Sequence, residues 1–140
     1  SDSAVSTNLI LAYLAAEYRV EADAPFILRV GDASPDLARL YAKFHCDCAA
    51  YVTACNPFGR INDGHDTEQR HAWLLQELAK RSLCCLDGIC QDPQGQWPGE
   101  PSCLVLDLSL EAAKKLGRRY AQNGLVWCGP DAVPVLVLLR

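Results

Sequence analysis

The side chains able to do chemistry in this chain are few. Nucleophilic catalysis needs a nucleophile with a base in reach. Cys55, Ser102 and Thr53 are candidates for the first role, and His45, His65 and His71 for the second. His65 lies in the loop after Asn56-Pro57, so a Cys55–His65 pair is conceivable, although a loop histidine is more often simply solvated. Paired-carboxylate chemistry would need a second acid beside Glu100. Asp63 and Asp66 are the options, with Asp66 more simply read as a helix cap. Gly59 and Gly64 fit neither a P-loop nor a G-x-G-x-x-G turn. The cysteine spacing does not read as zinc, and no metal is expected. The nearest approach, His45-Cys46-x-Cys48, would send alternate ligands to opposite faces of a strand, and Cys84-Cys85 are adjacent.

Arg70 is the cation whose position calls for a partner. It falls near the start of a helix, where a positive charge meets the positive end of the dipole, and it shares a stripe with Leu74. Two partners fit: Glu100, as a structural pair, or the carboxylate or phosphate of an anionic ligand. Lys114, Lys115, Arg118 and Arg119 form a basic patch near a helix carboxyl end. Cations are favoured there without any ligand, and phosphate contact is the sharper alternative. Asn56-Pro57 ends a strand on plain backbone grounds. Trp97, in a Gly/Pro loop, is either a lid over the core or one wall of a pocket.

The elements that must position these groups follow from periodicity and punctuation. Asn8 to Tyr18 reads as a helix with Leu9, Ala12, Tyr13 and Ala16 on one stripe. Phe26 to Val30 is a short strand. Ser34-Pro35-Asp36 starts a helix carrying Leu37, Leu40, Tyr41 and Phe44. Cys48 to Thr53 is a strand, a polar loop covers Phe58 to His65, and Asp66 with Gln69 opens a helix to Arg81 as a capping box. Leu83 to Ile89 and Ser102 to Leu108 are strands. Ser109 caps a helix to about Ala121, and Leu125 to Cys128 and Val133 to Leu139 are the last two strands. The order α-β-α-β-α-β-β-α-β-β predicts an α/β (mixed α+β) fold: one domain over residues 1–140, a mixed β-sheet with helices packed on it.

That order fixes directions. Let the top be the end of the sheet where Cys48–Thr53 finishes. A strand-helix-strand crossover makes Leu83–Ile89 run upward as well. An antiparallel hairpin then starts the next strand at the top, and the helix from Ser109 climbs back to it. Thr53, Asn56, the start of the third helix, Glu100, Ser102, Gln122 and Asn123 would gather along one edge, where open sheets usually bind ligands. A parallel hairpin pairing would scatter them.

Composition narrows the classes. The 140 residues are 50% hydrophobic and 21% charged, which is too apolar for disorder. No apolar run is long enough to span a membrane. A net charge of -4 argues against a dedicated nucleic-acid binder. Eight cysteines mostly sit in apolar runs, such as Cys103-Leu-Val-Leu and Leu-Val-Trp-Cys128, where cysteine behaves as a small hydrophobe. Ser1 to Asn8 is polar and does not read as a signal peptide, so a reduced, cytoplasmic protein is the expectation.

Several segments, taken in order, resemble one bacterial family. Ala12-Tyr13 with Tyr18-Arg19-Val20 resembles its A-Y…Y-x-V opening, and Leu28-Arg29-Val30-Gly31 followed by Ser34 its L-R-I-G strand and cap. Ala50-Tyr51-Val52-Thr53-Ala54-Cys55-Asn56-Pro57 resembles A-F-I-T-A-W-N-P. Trp97 with Glu100-Pro101-Ser102 resembles W-x-x-E-P-S, and Gly117 to Asn123 resembles G-R-R-F-G-Q-N. The family is the domain-of-unknown-function family 3293. Cys55 stands where its members commonly have tryptophan and Thr67 where they have asparagine, while Arg70 matches. The resemblance implies a fold and marks the same edge residues, but implies no chemistry and no cofactor.

Two readings follow. One is a site for a small polar or anionic ligand, catalytic or not, built from Thr53, Asn56, Arg70, Trp97, Glu100, Ser102, Gln122 and Asn123. The other is an interaction or regulatory module with a purely structural polar edge, whose partner is another protein or a second copy.

Overall fold

Ala49–Val52 and Ser102–Leu106 are apolar or small at nearly every position rather than at every second one. Strands of that composition must be covered on both faces. The structure, a computed structural model that describes residues 3–60 and 63–140, puts the two side by side in the middle of one sheet.

In chain order the elements are α1 (Thr7–Ala15), β1 (Glu17–Val20), β2 (Phe26–Leu28), α2 (Pro35–Phe44), β3 (Ala49–Val52), a single 3-10 turn (Pro57–Gly59), α3 (Gly64–Lys80), β4 (Cys85–Gln91), β5 (Glu100–Leu106), α4 (Leu110–Arg119), β6 (Gly124–Cys128) and β7 (Pro134–Leu138). The result is a mixed α+β fold around a seven-stranded sheet of order β2-β1-β4-β5-β3-β6-β7. On one face, Leu37, Leu40 and Tyr41 of α2 pack over Tyr18, Val20, Leu28, Tyr51, Leu104 and Leu106. On the other, Leu74 and Leu78 of α3 and Ala113 and Leu116 of α4 cover Ala50, Val52, Cys103, Val105 and Leu125.

Local chemistry accounts for most boundaries. The Ser34 hydroxyl accepts from the Leu37 N–H with Pro35 in the first turn of α2, and Ser109 does the same for Ala112 at α4. At α3 the cap is Asp63, accepting from the Asp66 N–H, rather than Asp66 itself. Residues 61 and 62 of the preceding loop lie outside the described residues. α2 ends on His45 in the left-handed conformation, so that histidine is a helix stop.

Two expectations about the elements are corrected. The first helix stops at Ala15, and Glu17–Val20 is a strand whose polar/apolar alternation is masked by the helical stripe running into Ala16. The order is therefore α-β-β-α-β-α-β-β-α-β-β. Every neighbouring pair of strands is antiparallel. β3 and β4, joined through α3, do run the same way, but β5 lies between them, so the crossover strands never pair.

Of the eight cysteines, Cys55, Cys90, Cys103 and Cys128 are buried, Cys46, Cys48 and Cys85 are half-buried and Cys84 is exposed; none is paired. Burial raises the thiol pKa of Cys46, Cys48, Cys55, Cys85, Cys90, Cys103 and Cys128, the last pushed up to about 12. These sulfurs are neutral packing groups, as the apolar runs suggested.

Gly88 in β4 shows how tightly the upper sheet is filled. A Cβ there would lie 2.5 Å from the Tyr51 hydroxyl oxygen and 2.7 Å from the carbonyl oxygen of Arg19. Those two atoms are themselves hydrogen-bonded, the Tyr51 hydroxyl donating to Arg19 O at 2.7 Å. Gly88→Ala is expected to cost about 2–3 kcal/mol in urea denaturation, an overpacking penalty falling partly on backbone that cannot move.

Candidate functional site

β3 leaves the sheet at its top through Thr53-Ala54-Cys55 and turns at Asn56-Pro57. Asn56 takes a left-handed conformation, φ 49° and ψ 63°, which asparagine tolerates better than most residues. The Asn56 Nδ2 donates to Glu100 Oε2 at 2.5 Å. Glu100 opens β5 at the same level, held there by the antiparallel hairpin with β4 that pairs it with Cys90.

A cavity lies around this contact. It has two lobes that share Tyr13, Asn56, Gly59, Cys90 and Glu100. The inner lobe, about 60 Å³, reaches between the sheet and Tyr13 and is lined by Tyr18, Tyr51, Thr53, Ser102 and Gln122. The outer lobe, about 150 Å³, is walled by Leu9, Ala12, Trp97 and Pro98. Glu100 is the only charged side chain lining either lobe among the described residues. Burial raises its pKa, with the Asn56 hydrogen bond partly offsetting the rise. The tyrosines around it, Tyr13, Tyr18 and Tyr51, are pushed upward by burial as well and stay neutral phenols.

Six of the eight residues expected at this edge line the cavity: Thr53, Asn56, Trp97, Glu100, Ser102 and Gln122. Most are also tied into the frame. The Thr53 hydroxyl donates to Pro101 O, and the Ser102 hydroxyl to Glu100 O, each at 2.9 Å. Gln122 Nε2 donates to Cys55 O at 2.9 Å and to Tyr120 O at 3.1 Å. Asn123 sits behind the wall, donating from Nδ2 to the Tyr13 hydroxyl at 3.1 Å and accepting from Arg140 at Oδ1. Trp97 is half-buried and packs on the core while walling the outer lobe, so both readings of it hold.

Arg70 is placed differently from both expectations. It neither pairs with Glu100 nor lines the cavity. Its Nε donates to Ala54 O at 2.5 Å and its Nη2 to Tyr120 O at 2.6 Å, bridging the end of β3 to the end of α4. The guanidinium thus satisfies two main-chain carbonyls left over at element ends. Nor is there support for a Cys55 nucleophile. Cys55 is fully buried, its thiol donates to the Thr67 and Pro101 carbonyls, and burial raises its pKa. The basic patch is partly neutralised, since Arg119 pairs with Glu77 and Lys114 with Glu111.

Tyr13, Tyr18, Tyr51 and Cys90 are the cavity groups that the sequence did not single out. Tyr18 and Cys90 arrive through β1, whose register sets Tyr18 opposite Cys90. Recognising the alternation in Glu17–Val20 would have pointed to both. At the other end of the sheet, ligand atoms of Asp47, Cys48 and Asp107 come within 4.8 Å of one another, two exposed carboxylates and a half-buried thiol. They are far from the cavity in the topology, following β5 and preceding β3.

A family model matches residues 52–125, a segment containing all eight expected edge residues. The chain belongs to the family described as protein of unknown function (DUF3293). No curated protein and no solved structure matches it. Membership in the DUF3293 family therefore comes with no activity, and the geometry of the cavity is the ground for a functional reading.

Two outcomes follow. Folded Glu100 holds its proton more tightly than the unfolded chain does. Its stabilising contribution is therefore complete below the ordinary carboxylate range and is lost as pH rises through the raised folded value. Glu100→Gln keeps an acceptor for Asn56 and removes that loss, so its melting temperature should rise relative to the parent as pH climbs above the ordinary carboxylate range. Arg70→Ala should destabilise by about 2 kcal/mol in urea denaturation, because it strands the Ala54 carbonyl and leaves Tyr120 O to Gln122 alone.

Proposed function

We propose that this protein binds a small polar ligand in the cavity at the top of the sheet, with Glu100 as the group that meets it. One observation carries the reading. Thr53, Asn56, Glu100, Ser102 and Gln122, from the segment that leaves β3, from β5 and from the loop after α4, meet at a single cavity beside an aromatic wall. Convergent polar groups in a largely apolar cleft are the usual mark of a small-molecule site. The anionic half of the sequence expectation has lost its anchor, since Arg70 faces main-chain carbonyls. The reading commits to binding; Glu100 is also the lining group best suited to give or take a proton.

A second reading, a module that docks another protein, draws on α1. That helix has no buried residue, and Leu11 and Leu14 are exposed, at 58% and 44%. The bonding of Thr53, Ser102 and Gln122 to main-chain carbonyls, and of Asn123 to the Tyr13 hydroxyl, favours the same view of a structural edge. No helix among the described residues is long and apolar enough to cross a membrane. Eight unpaired thiols suit a reducing compartment such as the cytoplasm.

A thermal-shift screen of small amines, carboxylates, amides and phosphates separates the two readings. Compounds that raise the melting temperature of the parent protein should lose that effect in Ala12→Leu, which extends a side chain into the outer lobe. Hits that are indifferent to Ala12→Leu would place binding elsewhere, and an absence of hits would favour the docking module.

A further inference from the structure

Among the described residues Glu100 has no positive partner. None of the ion pairs among the described residues includes it. Its Oε2 accepts from Asn56, and no hydrogen bond within the described residues engages Oε1. Two arginines near this end of the sheet are committed elsewhere. Arg70 serves the Ala54 and Tyr120 carbonyls, and Arg140 donates to Asn123 while stacking 4.2 Å from the centre of the Phe58 ring. A partly buried carboxylate left without a counter-charge is costly to keep ionised. A cationic guest would remove that cost.

The wall that faces the carboxylate is of matching kind. Trp97 and Tyr13 are side chains whose rings attract ammonium and guanidinium groups, and Leu9, Ala12 and Pro98 add an apolar surface. The outer lobe, at about 150 Å³, has the volume of an engineered protein cavity that holds one benzene ring. We propose that the cavity takes a small organic cation, an amine or amidine carried on an apolar body about the size of a single ring, with its N–H groups on Glu100 Oε1. This rests on reading the cavity as a ligand site and names the class of ligand.

The test compares benzylamine, benzamidine, benzyl alcohol and benzoate, titrated against the isotope-labelled protein and followed at the Trp97 indole N–H. The amine and amidine should bind at least about tenfold more tightly than the alcohol, the margin of one charge-assisted hydrogen bond, and benzoate should be weakest. Glu100→Gln should erase the advantage of the cations while leaving the alcohol unchanged. The comparison on the unaltered protein stands whether or not that variant folds. If the alcohol or benzoate binds as well as the amine, the cationic class is wrong and the ligand site survives; if the cations keep their advantage in Glu100→Gln, Glu100 is not the group that meets them and the inference is overturned at its anchor. If none of the four compounds moves the Trp97 signal, the ligand-site reading falls and this inference with it.

Discussion

Covering the central strands on both faces is the constraint from which the rest of this structure follows. β3 and β5 meet α2 on one side and α3 with α4 on the other, so the middle of each strand is apolar apart from the Tyr51 hydroxyl, which is satisfied by Arg19 O. Polar groups are displaced to the strand ends. Because β5 enters antiparallel between β3 and β4, the end of β3 and the start of β5 fall at the same level. The cavity is the space that this displacement leaves between the sheet, α1 and the Trp97 loop.

Arg70 then fixes the frame of that space. Its two carbonyl contacts bridge segments that no strand pairing joins, one leaving β3 and the other leaving α4. Gln122 repeats the connection from the opposite side, to Cys55 O and Tyr120 O. The polar edge thus has two layers with different work. Arg70, Gln122 and Asn123 hold backbone and aromatic groups in place. Asn56 and Glu100 face the cavity, one oriented by a strained turn and the other by a hairpin register.

Much of this was legible in the residues. Ser34-Pro35-Asp36 and Ser109 marked helix starts by local capping chemistry that tertiary packing did not override. The alternation of strands and helices gave the directions that brought Thr53, Asn56, Glu100, Ser102 and Gln122 to one edge. What was not legible depended on partners that carry no sequence mark. Arg70 looked as though it needed an acid because side-chain charges are visible in a sequence, whereas unpaired carbonyls at element ends are not. β1 was hidden because Ala15-Ala16 continue the apolar stripe of α1, and with β1 went Tyr18 and Cys90. The mixed sheet became wholly antiparallel through one insertion, β5 between β3 and β4, and loop lengths alone do not reveal it.

The two outermost strands are not independent edges. The Gly31 N–H donates to Pro134 O and the Ser34 N–H to Ala132 O, so the turn after β2 is stitched to the segment entering β7. These bonds join the early and late parts of the chain, and forming them means closing a loop of nearly the whole length between them. Closing that loop costs more chain entropy than closing either local hairpin, β4–β5 or β6–β7. These bonds also make the corner poor ground for strand addition by a second molecule, because the main-chain groups such a strand would need are already occupied.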